Sequence, residues 1–187
     1  DDSFLEAMAE CKKYGKPLVH PFNDSKVIEG QGTVGLEIIQ QSKVPIDYIF
    51  IPVGGGGLAS GLSSVVKALS PKTKIIGVEP AGAPSMSKSI DNGELVKLSQ
   101  IEKFVDGASV KQVGDLTFEI CKKYLDVMTT VHEGKICQTI LEMYNKDAIV
   151  AEPAGVMSIA ALDSFKNEIK GKNVVCLVSG SNNDITR

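Results

Sequence analysis

The sequence predicts an α/β protein with a mostly parallel sheet flanked by helices. Strand-like and helix-like segments alternate along the 187 residues, which is typical of parallel sheets that are covered by helices. The segment 47–53 is apolar through its centre, as expected of a strand that is buried on both faces. Four consecutive glycines follow this strand and lead into a helical segment. Such a turn at a strand end is a typical position for a ligand site.

The first half begins with a helix. Ser3 and Glu6 have the spacing of a capping box, and the helix they open is expected to end near Tyr14, before Gly15 and Pro17. The elements that follow are a strand at 18–20, a loop at 30–32, a helix at 33–41, the strand at 47–53 and a helix at 58–69.

The second half continues the alternation up to a final strand. Residues 93–114 form a polar loop that interrupts it, and Pro153 fits the first position of a helix. The predicted elements are strands at 74–79, 126–131 and 173–178, and helices at 84–91, 115–124, 133–144 and 153–165.

Composition narrows the possible partners. The chain is 43% hydrophobic and 23% charged, its net charge is −3, and it has no Trp. No apolar run approaches the roughly 18 residues of a membrane span, and there is neither a basic block nor an aromatic platform for nucleic acid. The four cysteines have no paired spacing, which favours reduced thiols in a cytosolic or organelle-matrix protein, and of these we predict a cytoplasmic location. Two histidines are too few for a histidine-based zinc site.

The glycine run predicts an anion site. Unsubstituted backbone N–H groups at the start of a helix bind phosphate well, and the absence of Gly-Lys-Ser/Thr excludes a nucleoside triphosphate loop. An alternative remains open: Gly54, Gly56 and Ala59 satisfy a dinucleotide fingerprint, and Glu79 ends the next strand. That spacing would suit an NAD-dependent oxidoreductase.

A second polar loop, at residues 179–184, follows the last strand. Both loops leave the carboxyl ends of buried strands, so a shared pocket is one interpretation, and a simple polar turn at the strand end is the alternative for the second loop. One loop would hold a phosphate and the other a ring.

Five motifs in order resemble those of threonine dehydratases, which are fold-type II pyridoxal phosphate (PLP) enzymes close to serine dehydratases and serine racemases. They lie at residues 54–58, 76–80, 104–110, 150–155 and 177–182, and residues 20–22 and 30–33 also resemble the family. The resemblance implies that residues 1–187 are an incomplete large PLP-binding domain. The implied reaction is β-elimination of threonine to 2-oxobutanoate and ammonia, in isoleucine biosynthesis. Serine dehydratase, serine racemase and a non-catalytic PLP-carrying module remain alternatives.

The resemblance also implies residue roles. Ser179 would meet the pyridine nitrogen. A hydroxyl does not stabilise a protonated pyridine as a carboxylate would, so the ring withdraws fewer electrons, which suits elimination. Glu152 would approach the cofactor ring or, alternatively, cap the following helix. Gly107 would lie in the loop over the ring. The phosphate clamp would consist of Gly54, Gly55, Gly56, Gly57 and Leu58.

A cation site is implied as well. Glu79, Ala83 and Ser85 resemble the positions that line a monovalent cation site in serine dehydratases. Serine racemases prefer an aspartate in place of Ser85. The alternative for Glu79 is an exposed strand end.

The family's Schiff-base lysine has no counterpart in this sequence. Lys67, Lys103 and Lys172 lie in helical or surface contexts and are predicted to be solvated. The chain is therefore expected to be a fragment, lacking the N-terminal part, that does not turn over alone. The resemblance implies an amino-acid substrate and a homodimer or homotetramer for the longer enzyme.

Overall fold

The computed structural model describes residues 2–183, and the side chains from residue 4 onward. Within this range four strands form one parallel sheet in the order β3-β2-β1-β4. The predicted fold class is therefore confirmed. The strands are β1 Tyr48–Pro52, β2 Lys74–Pro80, β3 Val127–Val131 and β4 Val174–Cys176.

Helices cover both faces of the sheet, and β1 is its buried centre. Ile49 and Ile51 pack into one apolar cluster, while Phe50 between them packs into the other, because successive side chains of a strand point to opposite faces. All three are fully buried. The helices are α1 Asp2–Tyr14, α2 Ser25–Gln41, α3 Gly57–Leu69, α4 Ser85–Asn92, α5 Asp115–Tyr124, α6 Glu133–Asp147, α7 Met157–Ala160 and α8 Leu162–Phe165, and a 3₁₀ turn at Ala154–Val156 precedes α7.

The predicted loop at 30–32 is wrong, because α2 already begins at Ser25. Asp24 caps the helix by accepting the N–H of Lys26 at 2.8 Å. Of the two glycines that suggested a loop, Gly32 serves helix packing instead: a Cβ atom on it would lie 3.3 Å from the carbonyl oxygen of Gly61 in α3, and one on Gly35 would lie 3.0 Å from that of Leu62. The two helices approach closely only because these positions carry no side chain.

Three other elements differ from the prediction. Residues 18–20 lie outside the sheet, and Val19 there is 67% exposed, so no strand of the described part of the chain pairs with them. The predicted helix at 153–165 is divided, since bonds such as that from the N–H of Ser164 to the oxygen of Ala161 have 3₁₀ spacing. The last strand has three residues rather than six.

Lys67 is not a solvated charge. Its Nζ atom lies 2.7 Å from Oδ2 of Asp126 and donates to the carbonyl oxygen of Thr73 at 2.8 Å. The same carboxylate oxygen accepts the N–H of Ile75 at 2.7 Å. This cluster joins α3 to the amino ends of β2 and β3.

Among the described residues, no helix has the length and apolar character needed to cross a membrane.

Candidate functional site

The glycine loop lies at the carboxyl end of the central strand. The N–H of Val53 still donates to Val78 across the sheet at 2.8 Å. Gly56 then takes a left-handed conformation with φ +91°, and α3 begins at Gly57. From Gly54 to Leu58, no backbone N–H donates a hydrogen bond to another residue of the described range 2–183. Five consecutive donors at a helix N-terminus form a site for an anion.

Protein groups explain why each position of this loop is glycine. A Cβ on Gly54 would lie 2.9 Å from Cα of Ala108, and one on Gly56 would lie 2.7 Å from Cε of Met86. Cβ atoms on Gly55 and Gly57 would meet Phe22. Sequence reasoning attributed the absence of side chains to a ligand and missed Phe22. Its only signal was the resemblance at residues 20–22.

A chain of contacts links the glycine loop to the other predicted site residues. Ala108 lies against Gly54, and a Cβ on Gly107 would be 3.5 Å from Oε1 of Glu152. The Glu152 carboxylate also lies against Gly180, whose carbonyl oxygen accepts the N–H of Glu152 at 3.1 Å. Gly54, Gly107 and Glu152 therefore lie at one edge of the sheet. In the described range no hydrogen bond shows Glu152 capping the following helix.

Ser179 lies on the same edge. It follows β4, which pairs with β1, and the N–H of Leu177 donates to the carbonyl oxygen of Phe50 at 3.1 Å. Ser179 is exposed and precedes the anchored Gly180. Leu58 is half-buried at the start of α3. The last residue of the predicted loop, Asp184, lies outside the described residues.

Glu79 is not an exposed strand end, because its side chain is fully buried. Oε1 accepts the N–H of Met86 at 2.6 Å, and Oε2 accepts the N–H and the hydroxyl of Ser87 at 2.8 and 2.7 Å. The carboxylate therefore caps α4. Burial raises the pKa of Glu79 to about 7, although these hydrogen bonds oppose the rise. A carboxylate enclosed in this way is not placed to bind ribose hydroxyls.

The other two predicted cation positions lie beside this cap. The carbonyl oxygen of Ala83 accepts the N–H of Ser85 at 3.0 Å. The hydroxyl oxygen of Ser85 is buried and has no hydrogen-bond partner in the described range. Among residues 2–183, no three His, Cys, Asp or Glu side chains form a metal-binding group.

Comparison with known proteins assigns the family. A family profile described as "Pyridoxal-phosphate dependent enzyme" matches residues 1–180. A biosynthetic L-threonine dehydratase of Halalkalibacterium halodurans is 57% identical over the whole chain, which spans 45% of that relative's length. The structure of threonine deaminase isoform 2 from Solanum lycopersicum matches 96% of the chain and 52% of its own, with a TM-score of 0.91 and 40% identity. The structure of serine racemase from Dictyostelium discoideum matches 96% of this chain and 58% of its own, with a TM-score of 0.86 and 34% identity. This chain therefore belongs to the family of pyridoxal-phosphate dependent enzymes.

Proposed function

We propose that this chain is the phosphate-binding part of a PLP-dependent threonine ammonia-lyase that converts threonine to 2-oxobutanoate and ammonia. The observation that carries the proposal is the run of backbone N–H groups from Gly54 to Leu58, at the end of the central strand, that have no hydrogen-bond partner among residues 2–183. The similarity to a biosynthetic threonine dehydratase and to a threonine deaminase supports this reaction.

The residues of the site fit PLP. The N–H groups of Gly54, Gly55, Gly56, Gly57 and Leu58 would donate to the phosphate oxygens, and the dipole of α3 would favour the negative charge. When bound, PLP withdraws electrons from the α-carbon of an amino acid, which eases loss of the α-proton and the β-hydroxyl.

Three further residues are proposed to surround the ring. Ser179 would place its hydroxyl at the pyridine nitrogen, and its position after β4 on the glycine-loop edge supports this role. Gly107 and Glu152 would flank the ring, which is supported by their contacts with each other and by the contact between Ala108 and Gly54.

The phosphate clamp can be tested without any covalent chemistry. Pyridoxine 5′-phosphate carries the phosphate but no aldehyde, so calorimetry with the chain measures the clamp alone. We expect saturable binding that is at least about tenfold tighter than binding of pyridoxine, because the charge-assisted hydrogen bonds of the phosphate are lost in the latter. Equal affinity for both compounds would contradict the proposed clamp.

The reaction itself needs a lysine that this chain does not supply in the family's motif. We therefore expect no 2-oxobutanoate from the chain alone, and product when the remaining part of the H. halodurans relative is added as a second polypeptide. If the chain alone forms 2-oxobutanoate, the proposal that it lacks the required lysine is refuted. The similarity to a serine racemase favours a second candidate, and formation of D-serine rather than 2-oxobutanoate would select it.

A monovalent cation at Glu79, Ala83 and Ser85 belongs to the same proposal. The buried carboxylate and the unpartnered hydroxyl beside it support the site. We expect KCl to raise the urea midpoint of the chain above its value in choline chloride, and Ser85→Ala to remove the difference. An identical response of both proteins would argue against the cation.

The proposal extends to location and assembly. Four free cysteines in the described range support a reducing, cytoplasmic compartment. For the longer enzyme we propose a homodimer or homotetramer, which sedimentation of the reconstituted protein would test.

A further inference from the structure

A tight turn at residues 20–23 precedes α2. Nδ1 of His20 accepts the N–H of Phe22 at 3.3 Å and that of Asn23 at 2.9 Å. The imidazole also packs edge-on against the Phe22 ring, with the ring centroids 4.6 Å apart. One side chain thus fixes both the backbone of the turn and the orientation of Phe22.

Asn23 attaches this turn to the N-terminus of α5. Its Oδ1 atom accepts the N–H of Leu116 at 3.0 Å, and its Nδ2 atom donates to Oδ1 of Asp115 at 2.6 Å. A Cβ on Gly114 would meet the Asn23 side chain, so the glycine allows the close approach. The turn and α5 therefore form one connected unit.

This unit contacts the glycine loop through two side chains. Thr117 of α5 donates from Oγ1 to the carbonyl oxygen of Gly55 at 2.7 Å. Phe22 occupies the space beside Gly55, and a Cβ on Gly57 would lie 3.0 Å from Cα of Phe22. Thr117 thus engages an acceptor of the loop, while Phe22 fills its surface by packing and leaves the loop's N–H groups without a partner in the described range.

We propose that Phe22 is a positioning residue for the phosphate clamp: by filling the space beside Gly55 and Gly57, it holds the N–H groups of the loop in the arrangement that receives the cofactor phosphate. This inference rests on the proposed function. A run of glycines is the most flexible backbone a chain can have, so a loop without this contact would have to order itself when the phosphate binds. The prediction is a loss of affinity for the phosphate group.

The test compares wild type, Phe22→Leu and Phe22→Ala, all as the 187-residue chain. Calorimetry measures the binding of pyridoxine 5′-phosphate to each, at a temperature where circular dichroism shows that each is folded. We expect Phe22→Ala to raise the Kd about tenfold and Phe22→Leu to restore most of the affinity. Tyr144→Ala, which truncates an aromatic side chain that is 60% exposed on α6, is the matched control and should leave the Kd unchanged.

Gly55→Ala gives an independent readout. The added methyl group would meet the Phe22 ring. Gly55→Ala should therefore weaken binding of pyridoxine 5′-phosphate strongly in wild type and much less in the Phe22→Ala background. A general loss of stability would not produce this non-additivity. If wild type binds the phosphate compound but Phe22→Ala binds equally well, or if the two changes are additive, this inference fails and the proposed clamp stands. If wild type shows no preference for the phosphate compound, the proposed function fails instead.

Discussion

The buried carboxyl of Glu79 makes a sharp prediction about how stability depends on pH. The group is fully buried, and its pKa is raised from 4.5 to about 7 in the folded chain, chiefly by desolvation. In the unfolded chain it ionises near its ordinary value, so between these pKa values the unfolded state binds fewer protons than the folded state. The stability contributed by the protonated group is therefore fully present below about pH 4.5 and is lost as the pH rises through about 7.

The magnitude follows from the two pKa values. At about 1.4 kcal/mol for each pKa unit, a rise from 4.5 to about 7 corresponds to about 3 kcal/mol. Glu79→Gln removes the titration. Gln offers one acceptor oxygen where the carboxylate offers two, which accept from Met86 and Ser87. The variant is therefore also less stable, by about 1–3 kcal/mol at every pH. The difference between the two proteins should then shift by about 3 kcal/mol in favour of the variant between about pH 4 and about pH 8.

Urea denaturation followed by circular dichroism across this pH range measures the difference, in choline chloride so that the monovalent cation proposed at Glu79 is excluded. All other titrating groups are shared, so their contributions cancel. Gln41→Asn is a control at an exposed amide that does not titrate, and its curve should run parallel to that of wild type. If the Glu79→Gln curve is also parallel, or if wild type gains stability relative to it as the pH rises, the reasoning about burial is refuted.

Two packing predictions and one hydrogen-bond prediction follow from the same structure. Gly61→Ala places a methyl group against the carbonyl oxygen of Ile28 and should cost about 1–3 kcal/mol; an unchanged urea midpoint would contradict the close contact of α2 and α3. Gly30→Ala lies in the same pair of helices but adds a Cβ that no other described residue approaches within 4 Å, so we expect the free energy of unfolding to rise by about 0.5–1 kcal/mol, and a decrease would show that the site is not open. Ser158→Ala removes a 2.7 Å hydrogen bond to the carbonyl oxygen of Leu177 and should lower the free energy of unfolding by about 1 kcal/mol; no change would mean that the bond is not formed.

The elements that the sequence predicts best are those whose local pattern agrees with their tertiary environment. The apolar run that contains β1 indicates a strand buried on both faces, and both faces are covered. At 30–32 the local pattern is misleading, because glycines usually end helices whereas Gly32 and Gly35 lie against α3. No local rule reveals such a contact.

In the candidate site, too, local sequence predicts some features, whereas others depend on contacts between distant residues. Four glycines between a buried strand and a helix predict an anion site, and the backbone N–H groups of the loop have no partner among residues 2–183. The contact of Phe22 with Gly55 joins residues 33 positions apart in the sequence, so spacing does not predict it. From the sequence alone, Glu79 could be interpreted as an exposed strand end. The N-terminus of α4, which its carboxylate caps, reaches it only in the folded chain.

The central claim is that the N–H groups from Gly54 to Leu58 bind the phosphate of PLP. A ¹H–¹⁵N NMR titration of the chain with pyridoxine 5′-phosphate tests it residue by residue. The largest shifts are expected at these five amides, with smaller ones at Gly107 and Gly180, and pyridoxine should not reproduce them. Unperturbed amides from Gly54 to Leu58, with shifts confined to other parts of the chain, would contradict the claim.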